Sequence, residues 1–401
     1  MLCLPAVHGN SVNVNMVCCP ERIVLSEPLI DVVVPVFNGA STVQAAIESI
    51  QAQTLTGIRI LVIDDGSTDD TPRLLAKMAA GDPRLQIMRQ PNSGIASALN
   101  TGLAECRAEF VARQDADDLS DPRRLEYQFN YMRQHPECVG VSGAARLIDE
   151  HGRFSGVVAR LPSPDLADAN WIPAKEPYLM PFLMARLSAL RAVGGYRYFI
   201  VSEDSDLYWR MQEHGRLHNM DVVLGEYRMH STSISGSSIG NGRTMALSSQ
   251  LAAISALRRR TGRVDLTFPK EAIRHYRAAA SLAEIFELGC WDLTPSEIEH
   301  LEITIAAKLL ELADYRPYEI ELADCRFIRT ALAKGMRAVS PTNQKELTRM
   351  TLRAAARLLR KGFIKEAFIV VPPLLYPRAA AWLAKRFASG RFGLEMDPYL
   401  K

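Results

Sequence analysis

The chain has 401 residues, of which 48% are hydrophobic and 23% charged, and its formal net charge is +2. This length leaves room for two domains, and the composition is that of an ordinary folded protein rather than a disordered or fibrous one. The near-neutral balance argues against a general nucleic-acid binder, and no run approaches the roughly 18 apolar residues that span a bilayer.

Residues 1–28 show no steady period and lack both a basic segment and a continuous apolar core. They read as a flexible extension without a signal peptide. The seven cysteines (Cys3, Cys18, Cys19, Cys106, Cys138, Cys290, Cys325) are scattered, and the adjacent Cys18-Cys19 lacks CxxC spacing. Neither a zinc site nor a disulfide framework is supported, and a reducing cytoplasm fits.

The β-branched run Leu29 to Val36 predicts a strand buried on both faces. Phe37-Asn38-Gly39 turns the chain, and Ser41 caps a helix toward Gln53. A second buried strand, Ile58 to Ile63, stops at Asp64-Asp65-Gly66-Ser67. A helix over Pro72–Ala80, a strand over Leu85–Met88 and a helix over Ile95–Ala104 lead to a further apolar run at Phe110. Strands alternating with helices at this spacing predict an α/β domain on a mostly parallel sheet. In open sheets of this kind the ligand lies beyond the carboxyl ends of the strands, and three of these strands end there in polar or acidic groups.

The run at Phe110 ends in Asp115-Ala116-Asp117-Asp118, three carboxylates within four residues. Like charges so close repel, and burying them unpaired is costly. A hard divalent cation carrying phosphates neutralises such a cluster. The plainer alternative is a solvated turn into a helix opened by Pro122 and capped by Asp121. No Gly-x-x-x-x-Gly-Lys occurs, and no Gly-x-Gly-x-x-Gly follows the first strand, so phosphates would be held through metal rather than in a glycine cradle.

Four segments stand in one order at suitable spacing: Val34-Pro35-Val36-Phe37-Asn38, Asp64 to Thr71, Asn92-Ser93-Gly94 with Asn100-Thr101-Gly102, and Asp115-Ala116-Asp117-Asp118. Together they resemble the family 2 glycosyltransferases, inverting enzymes of the GT-A fold, over about residues 29 to 235. The resemblance implies that Pro35, Phe37, Asn38, Asn92 and Gly94 border the nucleotide of a nucleotide-sugar donor. It implies that Asp65 accepts a hydrogen bond from uracil, a role suited to an acceptor-only carboxylate. Asp115-x-Asp117 resembles the family's DxD element, which implies Asp115 near the ribose and donor sugar and Asp117 on Mn²⁺ or Mg²⁺.

Val139 to Ile148 alternates as a strand, followed by the turn Asp149-Glu150-His151-Gly152. Residues 160–178, rich in Pro with Trp171 and Tyr178, line an acceptor groove or merely pack on the surface; the sequence does not choose. Ser202 followed by Glu203, Asp204 and Asp206 makes a helix start whose acids complement the helix dipole. The same segment resembles the family's acidic motif before a helix, which implies Asp204 as catalytic base, with Glu203 as the fallback and Asp206 as a local partner. Inversion needs one carboxylate opposite the leaving group. Tyr227-Arg228-Met229-His230 resembles the family's Tyr-Arg-x-His-x-x-Ser pattern, which implies His230 at the metal or diphosphate and Arg228 as a donor to diphosphate charge.

Past residue 240 the texture turns to long helical patterns, so domains are expected at 29–240 and 241–401. Thr294-Pro295-Ser296-Glu297 is a capping box, and Ser340-Pro341 opens another helix. Between Arg353 and Arg391 nine Lys/Arg face the single acid Glu366, interleaved with Phe363, Phe368, Trp382 and Phe387. That pattern suits an anionic membrane surface as well as it suits a solvated basic face, leaving peripheral attachment at the inner membrane as one of two readings.

The expected activity is metal-dependent, inverting transfer from a UDP-sugar to a glycan or lipid-linked acceptor. Two rivals stand beside it. A sugar nucleotidyltransferase would want a Gly-rich, basic loop where Phe37-Asn38-Gly39-Ala40 stands, and a non-catalytic nucleotide-binding scaffold would not need intact acids.

Overall fold

The computed structural model describes residues 27–199, 201–230, 238–378 and 380. The expected N-terminal extension therefore lies, apart from Glu27 and Pro28, outside the described residues. Among the described residues nine strands form one sheet: β1 (Ile30–Val36), β2 (Ile58–Asp64), β3 (Leu85–Arg89), β4 (Phe110–Arg113), β5 (Leu119–Ser120), β6 (Cys138–Ile148), β7 (Phe154–Ala159), β8 (Met184–Arg186) and β9 (Arg216–Arg228). Their order is β3-β2-β1-β4-β8-β6-β9-β5, with β7 paired to β6 off this path.

The first four strands are parallel, with Ile30 in register with Ile58 on one side and Phe110 on the other. Alternate residues of β1 feed the two faces. Val33 packs with Leu61, Ile63 and Val111, while Val32, Val34 and Val36 pack with Ile60, Val62 and Phe110. Each such side chain, fully buried, contributes about 1.5–3 kcal/mol relative to exposure. Beyond β4 the sheet becomes mixed, since β8 runs antiparallel to both β4 and β6, and β5 antiparallel to β9. Strands of two or three residues carry no readable period, so tertiary pairing alone makes β5 and β8.

Around the sheet lie α1 (Val43–Gln51), α2 (Thr71–Gly81), α3 (Ile95–Glu105), α4 (Arg124–Gln134), α5 (Leu187–Ala192) and α6 (Glu203–Met211). Helix α3 sits hard against the sheet at Gly102, where a Cβ would meet Val33 Cγ1 at 2.5 Å and Ile63 Cδ1 at 2.8 Å.

The C-terminal region is helical: α7 (Ile239–Arg260), α8 (Ala272–Ala278), α9 (Leu282–Gly289), α10 (Pro295–Tyr315), α11 (Leu322–Gly335), α12 (Pro341–Arg360) and α13 (Ile364–Val370). Thr294 and Glu297 form the expected capping box, and Ser340 Oγ accepts from Asn343 N at 3.2 Å. Helix α7 is buried almost all round, as a helix between two cores must be. Leu247, Leu251 and Ile254 join the helical core, while Ala252, Ala253 and Ala256 pack with Trp209 of α6 and Phe199. Among the described residues no helix is long and apolar enough to cross a membrane. Trp382 and Phe387 of the basic, aromatic stretch lie outside them.

Candidate active site

The carboxyl ends of β1, β2 and β4 open into one cleft of about 2220 Å³, closed on the far side by the start of α6 and by α8, α10 and α12. Pro35, Phe37, Asn38, Asp65, Asn92, Gly94, Asp115, Asp117, Glu203, Asp204 and His230 all line it, as do Trp171 and Tyr178.

At one end, Asn38 adopts a left-handed φ of 51° and its Oδ1 accepts from Thr68 N at 2.8 Å, tying the exit of β1 to that of β2. Gly66, at φ 81°, lets the Asn92 backbone approach so closely that a Cβ would stand 2.8 Å from Asn92 N. Buried Asp65 accepts from Ser93 N at 2.9 Å, Gly94 N at 2.8 Å and Gln90 Nε2 at 2.7 Å. A carboxylate has about four lone-pair sites, so one acceptor position remains.

The acidic loop after β4 is held through its backbone. Gln114 Nε2 donates to the carbonyls of Asp115 and Asp118 at 3.0 and 2.8 Å. Fully buried Arg124 donates to the Arg113 carbonyl at 2.6 Å and to Gln114 Oε1 at 2.8 Å. Burial, and then its neighbour Asp115, raise the Asp117 carboxyl, which His230 and Arg228 counter. His230 Nε2 lies 3.2 Å from Asp117 Oδ2. Burial also pushes Asp118 well up, with Asp115 and Asp117 adding to it, and its Oδ2 is buried with no hydrogen-bond partner.

Arg228 takes a different task from the one expected. It is 8% exposed and does not line the cleft; its Nε donates to the Asp117 carbonyl at 2.9 Å and its Nη1 to those of Asp149 and Glu150 at 3.3 and 3.4 Å. Three carbonyls hold the guanidinium, which braces the acidic loop rather than facing a diphosphate. Beyond His230, Ser231 to Ser235 of the expected pattern lie outside the described residues.

Lining the same cleft, α6 starts at Glu203 as expected, but Ser202 is left-handed at φ 70° and makes no side-chain cap. Asp206 is fully buried and paired with Arg210 at 2.6 Å. Glu203 Oε1 lies 3.2 Å from Arg113 Nη1, so this acid is already engaged. Asp204 is half-buried, its Oδ1 accepts from Ser205 N at 2.8 Å, and burial, with Glu203 adding to it, pushes its carboxyl up to about 7 against the pull of Arg113. A carboxylate poised there is suited to accept a proton at neutral pH.

Sequence reading passed over Arg113, Glu176 and Lys308, each of which has, beside a local partner, one far away in the chain. Arg113 carried a signal, as a lone cation ending a buried strand just before the acids. Lys308 carried a weaker one, as a charge inside the apolar stretch of a helix.

The Glycosyl transferase family 2 model matches residues 31–194. The amylovoran biosynthesis glycosyltransferase AmsE of Erwinia amylovora is 32% identical over 191 residues, 47% of this chain and 71% of that protein. The O-antigen biosynthesis glycosyltransferase WbnJ of Escherichia coli is 31% identical over 217 residues, 53% of this chain and 84% of that protein. The mannosyltransferase PcManGT from Pyrobaculum calidifontis, solved with GDP-Man and Mn²⁺, aligns with a TM-score of 0.48 and 18% identity over 89% of this chain and 87% of that one. These relatives set the nucleotidyltransferase reading aside. Matched by the family model and by relatives above 30% identity over most of their own length, the chain belongs to glycosyltransferase family 2 and is a glycosyltransferase.

Proposed function

We propose that this glycosyltransferase is metal-dependent and inverting, and that it moves the sugar of a UDP-sugar to a hydroxyl of a glycan or lipid-linked acceptor. What supports this reading is that Asp115, Asp117 and His230 line the same cleft as Asp204, whose carboxyl is raised to about 7. In this reading Asp204 takes the proton of the acceptor hydroxyl as that oxygen attacks the anomeric carbon, and the nucleoside diphosphate leaves toward Asp115 and Asp117. Glu203, held by Arg113, is the weaker candidate for base.

Asp117 and His230 would hold the ion. Their facing Oδ2 and Nε2 atoms, 3.2 Å apart, offer an oxygen and a nitrogen suited to Mn²⁺ or Mg²⁺. Among the described residues no cluster of three or more such ligands exists, so substrate phosphate oxygens would complete the shell, as Mg²⁺ sites commonly have it. When bound, the ion supplies positive charge against which the diphosphate can leave. Asp65, with an acceptor position to spare, reads the imide N–H of uracil, beside Asn38, Asn92 and Gly94.

The relatives named for amylovoran and O-antigen biosynthesis support a surface polysaccharide or lipopolysaccharide as the setting. Attachment to the cytoplasmic face of the membrane is supported by Phe363, Ile364 and Phe368, exposed by 43, 61 and 63%, beside Lys361 and Lys365. Serine at these three apolar positions should release the protein from anionic liposomes in a flotation assay.

Calorimetric titration of the purified chain with UDP, GDP and dTDP, each with and without Mn²⁺, tests the donor side. The expected result is Mn²⁺-dependent binding of UDP alone. Metal-independent binding, or preference for another nucleotide, would contradict it.

A further inference from the structure

The wall behind Asp204 contains a buried charge cluster that joins the helical region to the start of α6. Lys308, from α10, is 2% exposed, and its Nζ lies 2.8 Å from Glu176 Oε1, 2.8 Å from Glu311 Oε2 and 3.2 Å from the Tyr178 hydroxyl. Tyr178 donates to Glu176 Oε1 at 2.5 Å, and the hydroxyl of Ser205 donates to Glu176 Oε2. Both oxygens of Glu176 are thus engaged, one by the helical region and one by the residue next to Asp204. A buried carboxylate without its cation would be costly to keep ionised.

Resting on the assignment of Asp204 as base, we propose that Lys308 is a positioning residue for it: through Glu176 and Ser205, this lysine fixes the first turn of α6 and supplies the cation that offsets the Glu176 charge beside the reacting carboxylate. The helical region thereby completes the catalytic site rather than standing apart from it.

The groups that face Asp204 give the direction of the effect. Glu203 and Tyr208 come from its own helix, Arg113 from β4, Tyr196 from the turn after α5, and Glu176 from the loop before β8. Of these Arg113 is the cation, and it favours the ionised form. With Glu176 still held ionised by the hydroxyls of Tyr178 and Ser205, removing the Lys308 cation leaves Asp204 beside an uncompensated negative charge and disfavours its ionisation. Removing the Glu176 charge, while Lys308 stays, favours it. Two substitutions in one pair therefore move the same group in opposite directions, which a merely structural contact would not do.

The test is a carbon-13 NMR titration of the full chain labelled at aspartate Cγ, with Asp204→Asn used to assign the resonance. Lys308→Met should raise the Asp204 midpoint and Glu176→Gln should lower it, each by about half to one pH unit. Asp204 midpoints unmoved in either folded variant would overturn the proposal. If Lys308→Met fails to fold, Glu176→Gln, which keeps the shape of the pair, decides alone. Release of UDP from UDP-glucose and UDP-N-acetylglucosamine, with water as acceptor, separates the two readings. Loss in Asp204→Asn with unmoved midpoints removes only the role of Lys308. Undiminished release in Asp204→Asn removes the base assignment, and the proposal with it.

Discussion

Arg113 stands between the two acidic groups of the cleft, its Nε 2.7 Å from Asp115 Oδ1 and its Nη1 3.2 Å from Glu203 Oε1. Burial works against its charge, but Asp115 and Glu203 more than offset that, and the guanidinium is held well above its ordinary range. One side chain thus couples the donor side of the cleft to the helix bearing Asp204.

Arg113→Met should therefore do two things. Leaving buried Glu203 and partly buried Asp115 without their cation costs about 2–4 kcal/mol of unfolding free energy, measurable by urea denaturation. It should also move the acid limb of turnover to higher pH, because Arg113 favours the ionised form of Asp204.

The Asp204 carboxyl near 7 sets a pH dependence with two faces. Turnover should rise with pH through about 7 as the base ionises, then level off. Stability should run the other way. An unfolded carboxylate ionises near 4, so between about 4 and 7 the folded state holds a proton that the unfolded state has released. This group's contribution to stability falls as pH rises through that window. Chemical denaturation at pH 5 and pH 8 should show the wild type losing more stability than Asp204→Asn; equal losses would contradict the raised carboxyl.

Asp65 anchors the start of α3 as well as facing the cleft. Asp65→Ala leaves Ser93 N, Gly94 N and Gln90 without their acceptor, at a cost of about 1.5–3 kcal/mol in thermal denaturation. Nucleotide affinity should fall in the same variant.

In the helical region Asp324 is fully buried, pairs with Arg243 at 2.8 Å and accepts from Leu282 N at 2.8 Å. Asp324→Ala strands a buried guanidinium and should cost about 3–5 kcal/mol, read from the denaturation midpoint. A loss below about 1 kcal/mol would show that Glu321, at the rim of the same pair, suffices for Arg243.

What was legible in the sequence was what a single segment carries. The β-branched runs at Ile30 and Ile58 marked parallel strands, and each acidic turn followed its own strand, so Asp65, Asp115 and Asp117 could be placed at one edge. What was not legible depends on partners remote in the chain. Glu203 lies 90 residues from Arg113, and Lys308 lies 130 from Tyr178. No local period announces such pairs. Ser202 has the composition of a cap, but its backbone is left-handed at φ 70° and its side chain makes no cap hydrogen bond. The motif resemblance makes Arg228 a helper for diphosphate charge, whereas the structure engages its Nε and Nη1 with backbone carbonyls 78, 79 and 111 residues away.

The proposed mechanism gives donor binding and proton removal to different carboxylates of one cleft, Asp117 and Asp204. The most direct measurement is calorimetric titration of Asp204→Asn and Asp117→Ala with UDP and Mn²⁺, alongside UDP release from a UDP-sugar. Asp204→Asn should bind UDP nearly as the wild type does and release almost none, while Asp117→Ala should lose the Mn²⁺-dependent part of binding. Equal loss of UDP binding in both variants would contradict the division of roles.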